Sequence, residues 1–476
     1  MESLKTLVPQ PGQDKVASEG SVKVLPGVRQ KRGSSLRQVL AALSANIGTI
    51  NTGMAFGFSA VTIPQLQSPD SAMRITDDQA SWIASLSAVT TPIGCILSGY
   101  LMDVLGRKRI LVFTQLPMIL GWLLIGSANS VGMIYAGRLL VGLGSGMVGA
   151  PARVYTCEST QPHLRGMLSA LASVGVSLGV TVEYALGALF DWKTMAFLSS
   201  SVPMLALITG CLLPESPSWL VSVGKNDECK ASLSRLPIKP FIILALYFLI
   251  YQFSGVNPVT FYAVEVFKDS GATMNVYLLT VILGLVRLFF TVVGCVLMRR
   301  CGRRPLTFIS SIGCGLSMVG LGTYMCYALG WEIPQATWFP VFCIMFFTAT
   351  STIGYLVVPW VMIGEVYPTQ VRGIIGGMTT CVGHFCVFIV VKTFPMMQKT
   401  ITKYGTFWLY GGISLAGTFF FYFCLPETKG RTLQEIEDYF SGRTKTLAKP
   451  KQKDQLAAAS KNHPVIVKAQ KGDSMS

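Results

Sequence analysis

Long apolar stretches separated by short polar segments dominate the chain between about residues 38 and 425. Examples are "ILVFTQLPMILGWLLIGSA" at 110–128 and "FIILALYFLIYQF" at 241–253. A helix needs about 20 mostly apolar residues to cross a hydrocarbon core about 30 Å thick. The pattern predicts an all-α membrane protein with twelve spanning helices, near 38–65, 80–102, 109–129, 131–156, 166–190, 194–213, 240–267, 274–298, 305–329, 336–363, 373–395 and 405–425.

Composition agrees with this pattern and excludes several classes of protein. Of the 476 residues, 51% are hydrophobic and only 13% are charged, too few charges to solvate a soluble protein of this size. No nucleotide-binding loop, nucleophile constellation or metal-ligand spacing occurs, and the twelve Cys are scattered through or beside the apolar stretches. We therefore expect no enzyme activity, no cofactor and no metal, with the cysteines acting as small buried residues.

The basic residues are unevenly distributed among the loops, and this predicts the orientation of the chain. Loops following the second, eighth and tenth spans carry Arg107–Arg109, Arg299–Arg304 and Arg372, whereas the alternate loops carry few cations. Because Lys and Arg concentrate on the cytoplasmic side, both termini should be cytosolic in a multi-pass integral membrane protein. The net charge of +16 then favours contact with anionic lipid rather than with nucleic acid.

Three phrases occur twice in the same order, and they predict an internal repeat. "LMDVLGRKRI" (101–110), "ESTQPHLRG" (158–166) and "LPES" (213–216) are matched by "LMRRCGRRPL" (297–306), "EVYPTQVRG" (365–373) and "LPET" (425–428). A parallel repeat of six spans places a cavity between two halves, which suits alternating access. The predicted divisions are an N-terminal tail, a six-helix bundle, a shortened cytosolic loop, a second six-helix bundle and a C-terminal tail, at 1–37, 38–213, 214–239, 240–425 and 426–476.

The repeated phrases bring carboxylates and basic residues together at the cytoplasmic ends of the spans. Positive-inside bias explains the arginines, but it does not explain why Glu158 and Glu215 recur in register as Glu365 and Glu427. Such partly exposed pairs are individually weak and therefore suit a gate. Arg299 replaces the acid that the first copy has at Asp103, so we expect that side of the gate to be held more weakly.

Taken together, these motifs resemble the sugar porter family of the major facilitator superfamily. The resemblance rests on "DVLGRKR", "GRLLVG", "PESPSWL", "QFSGVN", "VVPWVMIGEVYP" and "LPETKGRTLQEIE", and "YTCESTQPHLRGMLSALASVGVSLGV" looks most like the insect trehalose-transporter branch. It implies a twelve-helix major facilitator fold that moves a small-molecule solute, a sugar, across the lipid bilayer of the plasma membrane. It also implies a cytoplasmic gate network of Asp103, Arg107, Glu158, Arg165, Glu215, Arg303, Arg304, Glu365 and Arg372.

A sugar site needs amide, hydroxyl and indole groups, because sugars are uncharged polyols. By resemblance, Gln252, Asn257, Tyr262 and Trp360 match sugar-contacting positions. Other matching positions depart from the usual residues, and they are Ser173, Tyr251, Arg287, Thr352 and the pair Gly383–His384. We include Ser173, Arg287, Thr352 and His384 in the predicted site. Its polar side chains therefore differ in part from those usual in the family.

Arg287 lies near the middle of an apolar span, where a charge costs at least about 2.5–3.5 kcal/mol. It could contact an anionic or strongly polar substrate group, or it could pair inside the protein with Glu183 or Glu265. Their depths along the spans favour Glu265, or a water-filled cavity, over Glu183.

Proton-coupled sugar porters carry an Asp in the first span, where this chain has Ser59. We therefore predict facilitated diffusion.

Two alternatives to sugar transport remain open. One is transport of another, possibly anionic, solute through Arg287. The other is a non-transporting sensor or inactive product, which the altered pocket and shortened loop suggest. The sequence leaves the oligomeric state open.

Overall fold

The computed structural model describes residues 33–69, 71, 73–160, 168, 170–216, 238–272, 274–330, 338–367, 372–429, 431 and 433–440. Within these residues the regular elements are helices, as the apolar pattern predicts. In chain order, α1 to α18 are Gly33–Leu66, Asp77–Leu105, Arg107–Phe113, Gln115–Gly126, Val131–Ser159, Leu171–Leu189, Trp192–Ser199, Ser201–Leu212, Ile238–Phe253, Val256–Phe261, Ala263–Asp269, Val276–Cys301, Arg303–Gly330, Trp338–Ile353, Val358–Val366, Arg372–Thr400, Lys403–Cys424 and Leu433–Phe440.

Eleven helical segments among the described residues are long and apolar enough to cross a membrane. The segment Lys239–Phe253 is also apolar but shorter, because the helix breaks at Gly255 and continues as α10 and α11. Together these make twelve spans, of which α3–α4, α7–α8, α9–α11 and α14–α15 are composite. Large apolar side chains such as Leu120, Leu212 and Phe419 are exposed on the outside of the bundle, where lipid would cover them.

The spans form two halves, α1–α8 and α9–α17, which meet mainly along two helix pairs. These pairs are α2 with α16 and α6 with α12. The second span of the first half thus packs on the fifth span of the second half, and the fifth span of the first half packs on the second span of the other. A two-fold axis between the halves produces this exchange, as expected from a parallel repeat. The predicted loop 214–239 and both tails lie largely outside the described residues.

Small residues allow α2 and α5 to approach closely. A Cβ atom built at Gly94 would lie 2.3 Å from the carbonyl oxygen of Leu143, and one at Gly146 would lie 2.1 Å from that of Thr91. No larger side chain fits between these backbones, which is the usual means of packing helices in a membrane. The close contact fixes α5, and with it the side chains that α5 directs towards the space between the halves.

Two spans of the second half are broken near their middle. Gly255 separates α9 from α10 with φ of +90°, a conformation that glycine adopts without steric cost. The tenth span is interrupted between Ile353 and Val358, and Pro359 lies in the first turn of α15. Discontinuous helices commonly build the binding sites of transporters, and these two breaks lie beside Gln252, Asn257 and Trp360.

Candidate substrate-binding site

A cavity of about 700 Å³ lies between the two halves. Both halves contribute to its wall, through α1, α2, α5 and α6 on one side and α9, α10, α12, α15 and α16 on the other. Six of the eight residues predicted for the substrate site line it, namely Ser173, Gln252, Asn257, Arg287, Trp360 and His384. The departing position Tyr251 lines it as well.

Tyr262 and Thr352, the other two predicted residues, are not in the wall of this cavity. The hydroxyl of Tyr262 donates to the backbone carbonyl of Val391 at 3.3 Å, and its ring packs on Phe394. The hydroxyl of Thr352 donates to the carbonyl of Thr348 at 2.9 Å inside its own helix. Both hydroxyls are therefore used by the backbone, which the matching of sequence positions could not show.

Two amide side chains at the break between α9 and α10 are joined by a hydrogen bond. Asn257 donates from Nδ2 to Oε1 of Gln252. The Gln252 amino group and Asn257 Oδ1 make no hydrogen bond with the described residues, so the pair offers the cavity both donors and an acceptor. This combination matches the hydroxyl groups of a sugar, each of which donates one hydrogen bond and accepts others.

An aromatic cluster forms another part of the wall. The ring centroid of Trp360 lies 4.9 Å from that of Phe248 and 5.6 Å from that of His384. The guanidinium carbon of Arg153 lies 4.5 Å from the centroid of Trp360, a cation–π contact. His384 Nδ1 is 3.0 Å from the carbonyl oxygen of Thr380. Because a carbonyl oxygen only accepts, Nδ1 carries the hydrogen of this bond. Nε2 makes no hydrogen bond with the described residues.

Arg287 is 5% exposed and lies in the wall of the cavity. Its Nη1 donates to Thr260 Oγ1 at 2.7 Å, whereas Nε has no hydrogen-bond partner. The two carboxylates suggested as internal partners do not pair with it. Glu183 instead accepts a hydrogen bond from Ser199 at 2.9 Å, and no ion pair joins Arg287 to Glu265 within the described chain. Of the internal partners suggested for this residue, the described contacts agree with the cavity alone, and contact with a substrate group stays a prediction.

Sequence comparison supplies the family. A family model described as "Sugar (and other) transporter" matches residues 41–239 and 236–440. The chain belongs to this sugar transporter family. A facilitated trehalose transporter homolog of Drosophila simulans is 32% identical over 461 residues, covering 88% of this chain and 94% of that protein. A facilitated trehalose transporter of Apis mellifera ligustica is also 32% identical, covering 86% and 90%.

Solved structures agree on the fold of this sugar transporter. The major facilitator proton:xylose symporter XylE, bound to 6-bromo-6-deoxy-D-glucose, superimposes with a TM-score of 0.74 at 23% identity, covering 86% of this chain and 100% of that one. An inward-open structure of the E. coli xylose transporter gives a TM-score of 0.68 at 22% identity, covering 83% and 98%. The twelve-helix major facilitator fold predicted from the sequence is confirmed.

The predicted gate residues of the first half form a compact group at the predicted cytosolic end. Arg107 Nε lies 3.2 Å from Glu158 Oε2, and Ser216 donates from its hydroxyl to the same carboxylate. Glu215 accepts from the backbone N–H of Lys108 at 2.9 Å, in the first turn of α3. An acid at the start of a helix satisfies free N–H groups and the positive end of the helix dipole.

The second half of the sugar transporter repeats this arrangement at the equivalent residues, with one additional backbone hydrogen bond. Arg303 pairs with Glu365, and Thr428 donates to the same carboxylate at 2.8 Å. Glu427 accepts from the backbone N–H groups of Arg303 and Arg304, each at 3.0 Å. The repeated phrases of the sequence therefore correspond to repeated contacts.

Both of these ion pairs join helices of the same half. Arg107 and Glu158 link α3 to α5, and Arg303 and Glu365 link α13 to α15. They therefore brace each half separately, rather than closing one half against the other. Arg304 donates to the carbonyl of Tyr422, also in the second half. The remaining gate positions lie outside the described residues or have undescribed side chains, and they are Asp103, Arg165 and Arg372, together with Arg299.

Two lysines of α16 connect the halves at the opposite, predicted outer end. Lys392 lies 3.1 Å from Asp78 Oδ1, and Lys399 lies 2.7 Å from Asp77 Oδ2. Both aspartates are in the first turn of α2, so each pair crosses from one half to the other. The repeated motifs predict a gate only at the cytosolic end. The outer pairs join residues more than 300 positions apart, and no motif marks them.

A buried arginine next to Ser59 was also missed. Arg138 is fully buried and donates to Ser59 Oγ at 2.6 Å, to Ser87 Oγ at 3.0 Å and to three backbone carbonyls. Arg138 and the cavity residue Arg153 both lie within the apolar stretch 131–156. A charge inside a spanning helix is a sign of a functional or paired residue, and that sign was available in the sequence.

Proposed function

We propose that this protein moves a sugar across a membrane by alternating access of the cavity between its two halves. The observation that carries the proposal is the wall formed by Gln252, Asn257 and Trp360, which combines amide donors, an acceptor and an aromatic face. Those are the groups that a polyol needs. Membership of the sugar transporter family favours a sugar over an unrelated solute and over a non-transporting sensor.

Trehalose is the first sugar to test, because the relatives described above are named as trehalose transporters. Glucose is the second, because it provides the same hydroxyl pattern in a single ring. We expect uptake of at least one of them by oocytes that express the protein, above the level of water-injected oocytes.

We propose that transport is facilitated diffusion without proton coupling. Coupling requires a group in the path that exchanges a proton during the cycle. At the position where coupled relatives have an Asp, Ser59 bonds to Arg138 and cannot ionise. The other partners of Arg138 are also neutral oxygens, so this cluster keeps its charge through the cycle.

We further propose that the protein resides in the plasma membrane with both termini in the cytosol, in accordance with the Lys and Arg bias of the loops. Epitope tags fused at residues 1 and 476 should bind antibody only after cells are permeabilised. Staining of intact cells at either tag would contradict this orientation.

The substrate wall is tested by the substitutions Asn257→Ala and Trp360→Ala. Each removes polar or aromatic contacts from the cavity, and a lost hydrogen bond or stacking contact of about 1.4 kcal/mol lowers affinity about tenfold. We expect uptake at low sugar concentration to fall by about that factor, while the amount of protein at the surface is unchanged.

Matched controls come from exposed positions away from the cavity. Asn129 and Trp338 are both exposed, so Asn129→Ala and Trp338→Ala remove the same chemical groups without touching the site. They should transport like the unaltered protein. Normal uptake by both cavity variants would show that sugar does not bind at this wall.

A further inference from the structure

The cavity carries fixed positive charge without a matching negative charge. Two guanidinium groups, of Arg153 and Arg287, are in its wall, and none of its described lining residues is Asp or Glu. A neutral sugar does not require this, because a guanidinium group donates hydrogen bonds and accepts none. Uncompensated charge in the middle of a membrane protein is costly unless something else balances it.

The guanidinium group of Arg287 is only partly satisfied by hydrogen bonds to the described protein, which leaves donors for a ligand. Its side chain is buried, and its Nη1 donates a hydrogen bond to Thr260. Its Nε has no partner. A smaller cavity of about 260 Å³ borders the same side chain, and that wall likewise contains no carboxylate among its described residues. The guanidinium N–H groups of Arg287 other than the one bonded to Thr260 therefore have no acceptor among the described residues.

Arg153 presents a second set of donors to the same cavity. Its guanidinium carbon stands over Trp360 at 4.5 Å, and it makes no hydrogen bond with the described residues. Stacking of this kind occupies the flat face of the group and leaves the N–H bonds at its edge available. Such an edge binds an oxyanion in a forked manner, and these charge-assisted bonds are about twice as strong as neutral ones.

We infer that the sugar carried by this protein bears an acidic group, a carboxylate or a phosphate, which the guanidinium groups of Arg153 and Arg287 bind. The inference rests on the proposed function, because it assigns the chemical class of the sugar that occupies the same cavity. The hydroxyl groups of the ring contact the Gln252–Asn257 pair and the aromatic wall. The acidic group supplies the negative charge that the wall lacks.

The test compares uptake of radiolabelled D-glucuronate, D-glucose 6-phosphate and D-glucose by oocytes that express the full chain. We expect the unaltered protein to take up at least one acidic probe about tenfold better than glucose. The preferred probe identifies the acidic group as a carboxylate or a phosphate. Entry of an anion should also generate an outward current under voltage clamp, which glucose does not generate.

Variants then assign the preference to the two arginines. Arg153→Gln and Arg287→Gln should each lower the ratio of acidic to neutral uptake about tenfold, whereas Lys193→Gln, outside the cavity wall, should leave it unchanged. Arg153→Lys and Arg287→Lys keep the charge and should keep part of the preference. Surface labelling of each variant reports whether it folds. A rise in the melting temperature of the purified unaltered protein on addition of glucuronate tests binding independently of the variants.

Two results would overturn the inference. If the unaltered protein takes up glucose or trehalose but neither acidic probe, the acidic group is refuted while sugar transport stands. If the preference for an acidic probe is the same in well-expressed Arg153→Gln and Arg287→Gln variants, the two arginines do not bind it. Uptake of none of the neutral or acidic sugars would refute the proposed function as well.

Discussion

Arg138 shows how hydrogen bonds to neutral groups hold a charge inside a membrane protein. Its donors reach two hydroxyl groups and three backbone carbonyls. These partners belong to α1 and α2, whereas Arg138 belongs to α5. The side chain therefore ties three spans of the first half together, and no group in this cluster is needed to take up or release a proton.

The neutral hydrogen-bond partners of Arg138 lead to a prediction about coupling. We expect uptake of glucose by the unaltered protein to be insensitive to a protonophore and to the external pH between about 5.5 and 7.5. Ser59→Asp places a carboxylate against Arg138, in a position that can alternate between the paired and the protonated state. Uptake by this variant should become dependent on pH, with Ser59→Asn as the neutral control.

The outcome that would contradict this prediction is a protonophore-sensitive uptake by the unaltered protein. A proton carrier would then have to be sought elsewhere, and the buried carboxylate of Glu183 would be the first candidate. It accepts one hydrogen bond from Ser199, and its Oε1 has none. Glu183→Gln would test it directly.

Among single residues, the family resemblance identified most of the positions in the candidate site, but it did not show what each side chain contacts. Gln252, Asn257 and Trp360 line the cavity as predicted. Tyr262 points its hydroxyl to a backbone carbonyl instead. Position along a helix fixes depth, but the rotation of a broken helix around its axis depends on packing with distant spans. Arg153 lies in none of the matched motifs, so the resemblance does not point to it.

At the scale of elements, the recurring acids act as helix caps. Glu427 accepts hydrogen bonds from two backbone N–H groups at the start of α13, while Glu215 accepts one at the start of α3. Each also bonds an N–H of its own loop. A capping group of this kind contributes about 1 kcal/mol and more when it is charged. The repeat thus preserves a local stabilising device in each half.

This difference predicts unequal effects of the same substitution in the two halves. Glu427→Gln should lower the apparent melting temperature of the detergent-solubilised protein by about 2–4 °C, because one charged acceptor is lost where two helix N–H groups need it. Glu215→Gln should lower it by less. A melting curve followed by tryptophan fluorescence measures both. Equal shifts, or a larger shift for Glu215→Gln, would contradict the role assigned to the cap.

The helices themselves were predictable, whereas their interruptions were not. Long apolar stretches fix the existence and the approximate ends of a span, since about 20 residues must be apolar. The breaks at Gly255 and between α14 and α15 each lie inside one predicted span, and the helices on either side of the second break are equally apolar. Glycine and proline are tolerated in spanning helices without breaking them, so their presence alone does not locate a break.

At the scale of the whole molecule, the described ion pairs divide into two kinds. Those at the predicted cytosolic end lie within one half, and those of Lys392 and Lys399 at the predicted outer end cross between halves. Pairs within a half survive when the halves rock against each other. Pairs between halves must break for the cavity to open outwards. The structure is therefore one in which the outer side is held closed.

The outer pairs predict a shift in orientation when they are removed. Lys392→Ala combined with Lys399→Ala should favour the outward-facing state about fivefold, since two pairs with at least one exposed partner each contribute roughly 1 kcal/mol together. Cys95 lines the cavity and reports this state. Its labelling by a membrane-impermeant maleimide added to intact cells, read by mass spectrometry, should rise by a similar factor.

The matched control for this experiment is Lys403→Ala. Lys403 lies 2.7 Å from Asp269, and both residues belong to the second half. Removing this pair deletes the same kind of contact at the same end without releasing one half from the other. Labelling of Cys95 should then stay at the level of the unaltered protein. An equal rise in both variants would mean that the crossing pairs do not hold the outer side closed.

Because Lys399 and Asp77 are exposed, the salt content of the external fluid affects how strongly this crossing pair attracts. Lys399 and Asp77 are each 69% exposed, so dissolved ions surround them. Their attraction acts over a screening length of about 8 Å at physiological salt and about 3 Å at 1 M. The buried contacts of Arg138 are shielded from such ions. Changes in external ionic strength alone should therefore alter how long the transporter rests with its outer side shut, with no regulatory site required.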